Sequence, residues 1–451
     1  MRLMIIGLDS AVPDLVFRRW RDELPTLRAL AEGGMWAEMT STHPPITVPA
    51  WASMMSGLDP GELGVYGFRN RRDYSYDRFA IANGAALRAP RVWDRLSAAG
   101  KRAILLGVPQ TYPVRPLNGW VVADFLAPST RVDYTYPAEL KAEVERVADG
   151  YVLDVDNFRT PDKEDLLARI YAKTAKHFRV AKHLVSTRPW DFFMMVEMGV
   201  DRIQHGFWGY CDPLHRKYRA GNPFEHVLYD YYRYVDRELG DLLSLVDRDT
   251  AVLVVSDHGA RRMDGGICLN EWLIQEGYLA LHEYPRQPTR LEELAVDWDR
   301  TLAWGEGGYH GRIFLNVRGR EPRGVIPAED VEVIRQELID KIVALTDPEG
   351  RPIGSRAYRP EELYPNEIRG VPPDLTVYFG DLAWRSVGSV GLKTIHTFDN
   401  DTGPDEANHD WKAVFLANRA ATARLGAVPG RQPDFHLTQV APLVLRLFGL
   451  A

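Results

Sequence analysis

Short runs of consecutive apolar residues, each closed by Gly, Asp or Pro, alternate along this chain with stretches whose apolar positions recur at helical spacing. The runs at Leu3–Leu8, 103–107, 191–197, 250–256, 375–379 and 413–417 are apolar nearly throughout, the pattern of strands buried on both faces. Helical spacing predicts helices over 24–32, 48–56, 91–99, 162–186, 225–245 and 329–345. In 225–245 the stripe is Val227, Leu228, Tyr231, Val235, Leu239, Leu242 and Leu243. Covered strands separated by helices predict an α/β fold around a largely parallel sheet. The Arg- and Tyr-rich stretch 66–78, the charged stretch 280–300 and the Pro/Gly-punctuated stretch 346–373 read as insertions or surface loop. A catalytic core is expected over 1–265 and 374–451, with an inserted cap over 266–373.

Composition narrows the classes. The chain has 451 residues, 45% hydrophobic and 26% charged, which fits a folded protein with a large core and not a disordered one. A net charge of −7 argues against general nucleic-acid binding, while leaving room for a pocket that holds a small phosphorylated ligand. Cys211 and Cys268 are too few for a disulfide framework or a cysteine zinc cluster. No apolar run approaches the roughly 20 residues of a bilayer span. The first apolar run reaches Gly7-Leu8-Asp9 without the pattern of a signal peptide. The expectation is a soluble, cytoplasmic protein.

Parallel sheets present their ligands at the carboxyl ends of the strands. There the chain carries Asp9, Asp201, His205, Asp257 and His258. Asp201 and His205 are four apart, which puts both on one face of a helix. Each residue alone fits a cap, a turn or a packed histidine. Together, mixed Asp/His donors suit zinc or manganese, and two such ions about 3.5–4 Å apart clamp an in-line displacement at phosphorus. Upstream, Pro44-Pro45-Ile46-Thr47-Val48-Pro49-Ala50-Trp51 opens the 48–56 helix and places Thr47 at or just before the N-cap. Its hydroxyl is either a cap or a nucleophile activated by a bound metal and the helix dipole.

These stretches, with Leu24-Pro25-Thr26-Leu27, Glu32-Gly33-Gly34, Gly57-Leu58-Asp59-Pro60, Asp201-Arg202-Ile203-Gln204-His205, Ser256-Asp257-His258-Gly259 and a late histidine before a strand, resemble the alkaline phosphatase superfamily. The resemblance is to its type I phosphodiesterase/nucleotide pyrophosphatase branch, and Gly311-Arg312-Ile313-Phe314-Leu315-Asn316-Val317 fits the prokaryotic phosphohydrolase/phosphomutase-like members. It implies a mostly parallel sheet sandwiched by helices with inserted cap segments, and two divalent ions, zinc with manganese as the alternative. Asp9, Asp257 and His258 would hold one ion, which also contacts the Thr47 hydroxyl; Asp201, His205 and His409 would hold the other. His310 and His396 are the fallbacks for His409, which lacks the family's following glycine. The family's His-Gly-Ile stretch and phosphate-binding asparagine are replaced by Leu63-Gly64-Val65-Tyr66-Gly67-Phe68, with Asn70 or Arg69 as substitute donors.

The implied reaction is hydrolysis of a small phosphodiester or nucleotide-like substrate through a phosphothreonine. Trp51, Tyr66, Phe68, Phe207, Trp208 and Tyr210 near the motifs favour a bulky diester arm, while Arg69-Asn70-Arg71-Arg72 pulls toward a more highly charged monoester. A phosphomonoesterase or phosphomutase on the same metal core is the alternative, and a non-catalytic phosphate-ligand binder is the alternative of another class. A sulfatase is excluded, because Thr47-Val48-Pro49-Ala50-Trp51 has neither the convertible Cys or Ser nor the arginine.

Overall fold

A computed structural model describes residues 1–450. Ten strands form the main sheet. At its centre Leu3–Leu8 runs parallel to Phe192–Glu197 on one side and Ala251–Val255 on the other. Ala103–Leu106 and Gly119–Val122 extend the parallel run beyond Phe192–Glu197. On the other flank Lys412–Ala417 enters antiparallel, between Ala251–Val255 and Met35–Thr40. The mostly parallel α/β architecture is thus as the apolar runs predict.

The apolar runs arise because both faces of the sheet are covered. Along Leu3–Leu8, Met4, Ile6 and Leu8 join one buried cluster and Leu3 and Ile5 another. The first cluster lies under the helices Pro25–Gly33, Lys163–Thr187, Gly199–Cys211 and Val227–Leu243; the second lies under Thr47–Ser56, Val92–Ala98 and Val440–Leu447. Each such aliphatic side chain contributes about 1.5–3 kcal/mol by leaving water. Among the described residues no helix is long and apolar enough to cross a membrane.

One run departs from expectation. Leu375–Tyr378 pairs in a separate four-stranded antiparallel sheet with Ala303–Glu306, Gly311–Leu315 and Arg356–Tyr358. Its residues are fully buried because this sheet has its own core, with Ile313, Leu338, Ile342 and Val377 among its members. Trp384–Val387 likewise pairs with Gly265–Cys268. The smaller layer therefore continues past 373, where the expected boundary falls, and takes in the strands up to His396–Thr397.

The Arg-rich stretch 66–78 is a hairpin pinned to this layer. Arg71 forms a buried ion pair with Glu321 at 3.3 Å and lies over the rings of Trp304 and Phe314. It is a structural pin. Arg71→Ala leaves Glu321 with Arg320 at 3.0 Å but removes its second guanidinium and the packing over Trp304 and Phe314, and an equilibrium urea titration is expected to show a loss of about 2–3 kcal/mol.

Candidate functional site

Register brings the chemistry to one edge. Gly7 pairs with both Val196 and Val255, so the chain leaves three neighbouring strands at the same level and delivers Asp9, the Gly199–Cys211 helix and Asp257 side by side. Gly7 itself must lack a side chain: a Cβ there would lie 2.5 Å from the Trp51 ring. That close approach lets the Trp51 indole N–H donate to Asp9 Oδ2 at 2.7 Å. The last histidine arrives by another route. Ala407–Asp410 pairs antiparallel with Gly259–Arg262, with His409 opposite Ala260, and the His409 and His258 rings stack at 3.8 Å.

All seven residues singled out as metal ligands or nucleophile meet here, and all are buried. Asp201 Oδ1 lies 3.1 Å from His205 Nε2 and 3.8 Å from His409 Nε2, and the two Nε2 atoms are 3.3 Å apart. Asp9, Asp201 and His258 form a second close set, so Asp201 belongs to both. Asp257 joins it through Oδ2, 3.1 Å from His258 Nε2. Thr47 Oγ1 is 3.4 Å from the same Nε2. Thr47 is the first residue of the Thr47–Ser56 helix, one step past the expected position; Ile46 is the N-cap and no side chain caps the helix. The Thr47 hydroxyl therefore faces the cluster and not the helix end.

Each imidazole is anchored through its Nδ1. His258 Nδ1 donates to the Gly259 carbonyl at 2.9 Å, His409 Nδ1 to the Pro45 carbonyl at 2.8 Å, and His205 Nδ1 to Asp405 Oδ1 at 2.8 Å. All three Nε2 atoms are thereby turned inward as ligands. Opposite them Asp9 Oδ1, Asp201 Oδ1 and Asp257 Oδ2 are buried without a hydrogen-bond partner. Buried oxygens of this kind call for a counterion.

The electrostatics agree. Burial, then the charges of Asp257 and Asp201, pushes Asp9 well above the carboxylate range. Against the pull of burial, Asp201 and Asp405 push His205 up to about 9, and Asp257 and Asp9 do the same for His258. Burial, then the neighbouring His258 and His205, holds His409 well below the usual histidine range. The cluster sets three carboxylates against one guanidinium, Arg202 on Asp201, with protons making up the balance, and divalent cations binding these donors displace such protons. The residues present therefore fit two metal ions.

A cleft of about 400 Å³ opens over Thr47, Asp201 and His409. Its aromatic wall is Phe68, Phe125, Phe158 and Tyr309. Of the six aromatics expected there, only Phe68 takes part. Trp51 serves Asp9, Tyr66 bonds the Arg369 carbonyl, Phe207 is core, and Trp208 and Tyr210 pack near Asp212 and Phe224. Asn70 is occupied as well: it accepts from the Tyr66 N–H and donates to the Gly67 carbonyl, holding the loop. Arg69 does reach the cleft. His310 lines the cleft without joining the cluster, and His396 bonds the Thr346 carbonyl elsewhere.

Sequence reasoning missed Asp405, Tyr309 and Arg159. Arg159 donates to Asp405 at 2.9 Å and to the Tyr309 hydroxyl at 2.5 Å, and the Tyr309 ring stacks on His205 at 4.9 Å. Their positions, 246 and 104 residues from their partners, carry no local pattern.

Comparison with known proteins follows the same lines. The family model described as type I phosphodiesterase / nucleotide pyrophosphatase matches residues 3–411. No curated protein matches the chain. Among solved structures, human ectonucleotide pyrophosphatase/phosphodiesterase 5 superposes with a TM-score of 0.57 at 13% identity, covering 100% of this chain and 96% of that one. The murine protein of the same name, as an inactive threonine-to-alanine variant in complex with AMP, has the same TM-score, identity and coverage. These likenesses establish the shared fold. The family match over most of the chain establishes more: this protein belongs to the type I phosphodiesterase/nucleotide pyrophosphatase family and is a hydrolase of phosphoric esters.

Proposed function

We propose that this hydrolase is a phosphodiesterase that works with two divalent cations through a phosphothreonine at Thr47. The observation that carries the reading is the convergence of three partnerless carboxylate oxygens and three inward Nε2 atoms beside the Thr47 hydroxyl. Asp201, His205 and His409 would hold one ion; Asp9, Asp257 and His258 would hold the other. Zinc suits this mixed oxygen and nitrogen set, with manganese the alternative. When bound, the cations supply the charge that favours a deprotonated threonine and offsets the phosphoryl oxygens.

The chain's own residues do the rest. Thr47 Oγ1 forms the bond to phosphorus opposite the departing ester oxygen, whose bond to phosphorus breaks. The hydroxyl proton passes to solvent, and the departing oxygen takes a proton from water. Water then opens the phosphothreonine, releasing a monoester and restoring the hydroxyl. Thr47 and Val48 have backbone N–H groups at the helix start that no earlier turn can occupy, so the positive end of the helix faces the phosphate. A threonine replaced in an inactive murine relative, and the AMP bound to it, support a nucleotide-like substrate and this nucleophile.

Diester is favoured over monoester by the cleft's cations. Arg159 is paired with Asp405, Arg202 with Asp154 and Asp201, Arg69 with Glu292, and Arg312 with Glu306. Their charge is already matched by protein carboxylates, leaving little for a second phosphate charge, while the aromatic wall offers room for an ester substituent. Metal-restored protein is expected to cleave bis(4-nitrophenyl) phosphate at least tenfold faster, by kcat/KM, than 4-nitrophenyl phosphate. The reverse preference replaces this reading with a monoesterase or a mutase on the same core. Cleavage of neither ester with both ions bound leaves a phosphate-ligand binder.

A further inference from the structure

Next to the catalytic cleft lies a second cavity of about 400 Å³, as large as the cleft itself and within the range of ligand sites. Arg69 and the segment Glu306-Gly307-Gly308 line both, so the two spaces adjoin there. The linings differ in kind. The cleft has four aromatic rings and the cavity has none. The cavity instead gathers guanidinium groups from Arg290 and Arg385, carboxylates from Glu292 and Asp401, and hydroxyls from Thr289 and Ser389.

Arg385 is the telling member. It is 4% exposed, and its Nε and Nη1 make no hydrogen bond. The nearest carboxylate oxygens, on Asp401 and Asp405, lie 3.9 and 4.0 Å away, beyond hydrogen-bond reach. Nε and Nη1 are enclosed by protein, which leaves Nη2, also without a hydrogen bond, as the donor an occupant of the cavity can reach. No working step assigned to Thr47 or the metal ligands uses it.

Resting on the phosphodiesterase reading, we infer that this cavity receives a polyhydroxylated arm of the diester, of the sugar or glycerol kind. The other arm lies against Phe68, Phe125 and Phe158. A hydroxyl both donates and accepts, which matches a lining that offers cations, carboxylates and hydroxyls together. A second anionic group would meet Glu292, Glu306 and Asp401, and an apolar group would strip water from this polar lining without replacing its hydrogen bonds.

The test compares hexos-6-yl 4-nitrophenyl phosphate with methyl 4-nitrophenyl phosphate on the metal-loaded protein, so that only the second arm changes. The hexosyl ester is expected to have at least tenfold higher kcat/KM, expressed mainly in KM. Thr402, exposed on the same lining, can be enlarged without disturbing the fold. Thr402→Trp fills the cavity and is expected to bring the two esters level while the methyl ester is cleaved as before. Arg290→Ala is expected to shrink the advantage. Equal cleavage of both esters by the unaltered protein, or an advantage that survives Thr402→Trp, overturns the inference and leaves the phosphodiesterase reading standing. If neither ester is cleaved with metals bound, both readings fall.

Discussion

Thr47→Ala is expected to lower turnover of a phosphodiester by about 10³-fold or more, because the bond-forming oxygen is gone. Two-metal stoichiometry and melting temperature are expected to change little. The side chain is 3% exposed, but its hydroxyl has one partner, His258 Nε2 at 3.4 Å, and caps nothing. A capping threonine behaves in the opposite way: its loss costs about 1 kcal/mol of stability and leaves chemistry alone. The pair of measurements, turnover with metal content and thermal unfolding, thus separates the two roles. Thr47→Ser keeps a hydroxyl and is expected to recover part of the rate. Full activity in Thr47→Ala would remove Thr47 from the mechanism.

The second large effect belongs to Asp201, the one residue common to both close sets of ligand atoms. Asp201→Asn weakens the oxygen that faces His205 and His409 and relieves the like-charge burden on Asp9. The variant is expected to bind at most one ion under conditions where the unaltered protein binds two, with activity down by about 10³-fold. Chelation of the unaltered protein is expected to abolish activity, with zinc or manganese restoring it. It should also lower the melting temperature, since an ion at 100 times its Kd stabilises the folded state by about 2.7 kcal/mol. Undiminished activity after exhaustive chelation, confirmed by metal analysis, contradicts the two-ion reading.

Much of this was legible because it is local. Strands buried on both faces write themselves as apolar runs, and the ligands that follow them sit within a few residues of the strand ends: Asp9 after Leu8, Asp257 two past Val255. What sequence could not carry is tertiary. Met35–Thr40 went unread as a strand because Glu38 interrupts it, and that glutamate is accommodated by Arg18 at 2.6 Å from a distant turn. The 375–379 run looks like the other buried strands, and nothing local says which sheet receives it. The aromatic wall follows the same rule. Phe125 and Phe158 reach the cleft from segments with no motif, while the aromatics beside the motifs mostly point into the core. Asp405 orients His205 across 200 residues of chain.

The antiparallel strand Lys412–Ala417 has a consequence for how the molecule comes into being. It is the last long strand of the main sheet in chain order, yet it fills the gap between Ala251–Val255 and Met35–Thr40 and carries His409 in just ahead of it. Until that segment emerges during synthesis, two strands have unpaired inner edges and one half of the ligand cluster lacks its third member. Assembly of the centre therefore waits on contacts between residues hundreds of positions apart, which slows folding. In a chain shortened before residue 412, those open edges are templates for pairing with other chains. Such a product is expected to be recovered as aggregate rather than as a partly active enzyme.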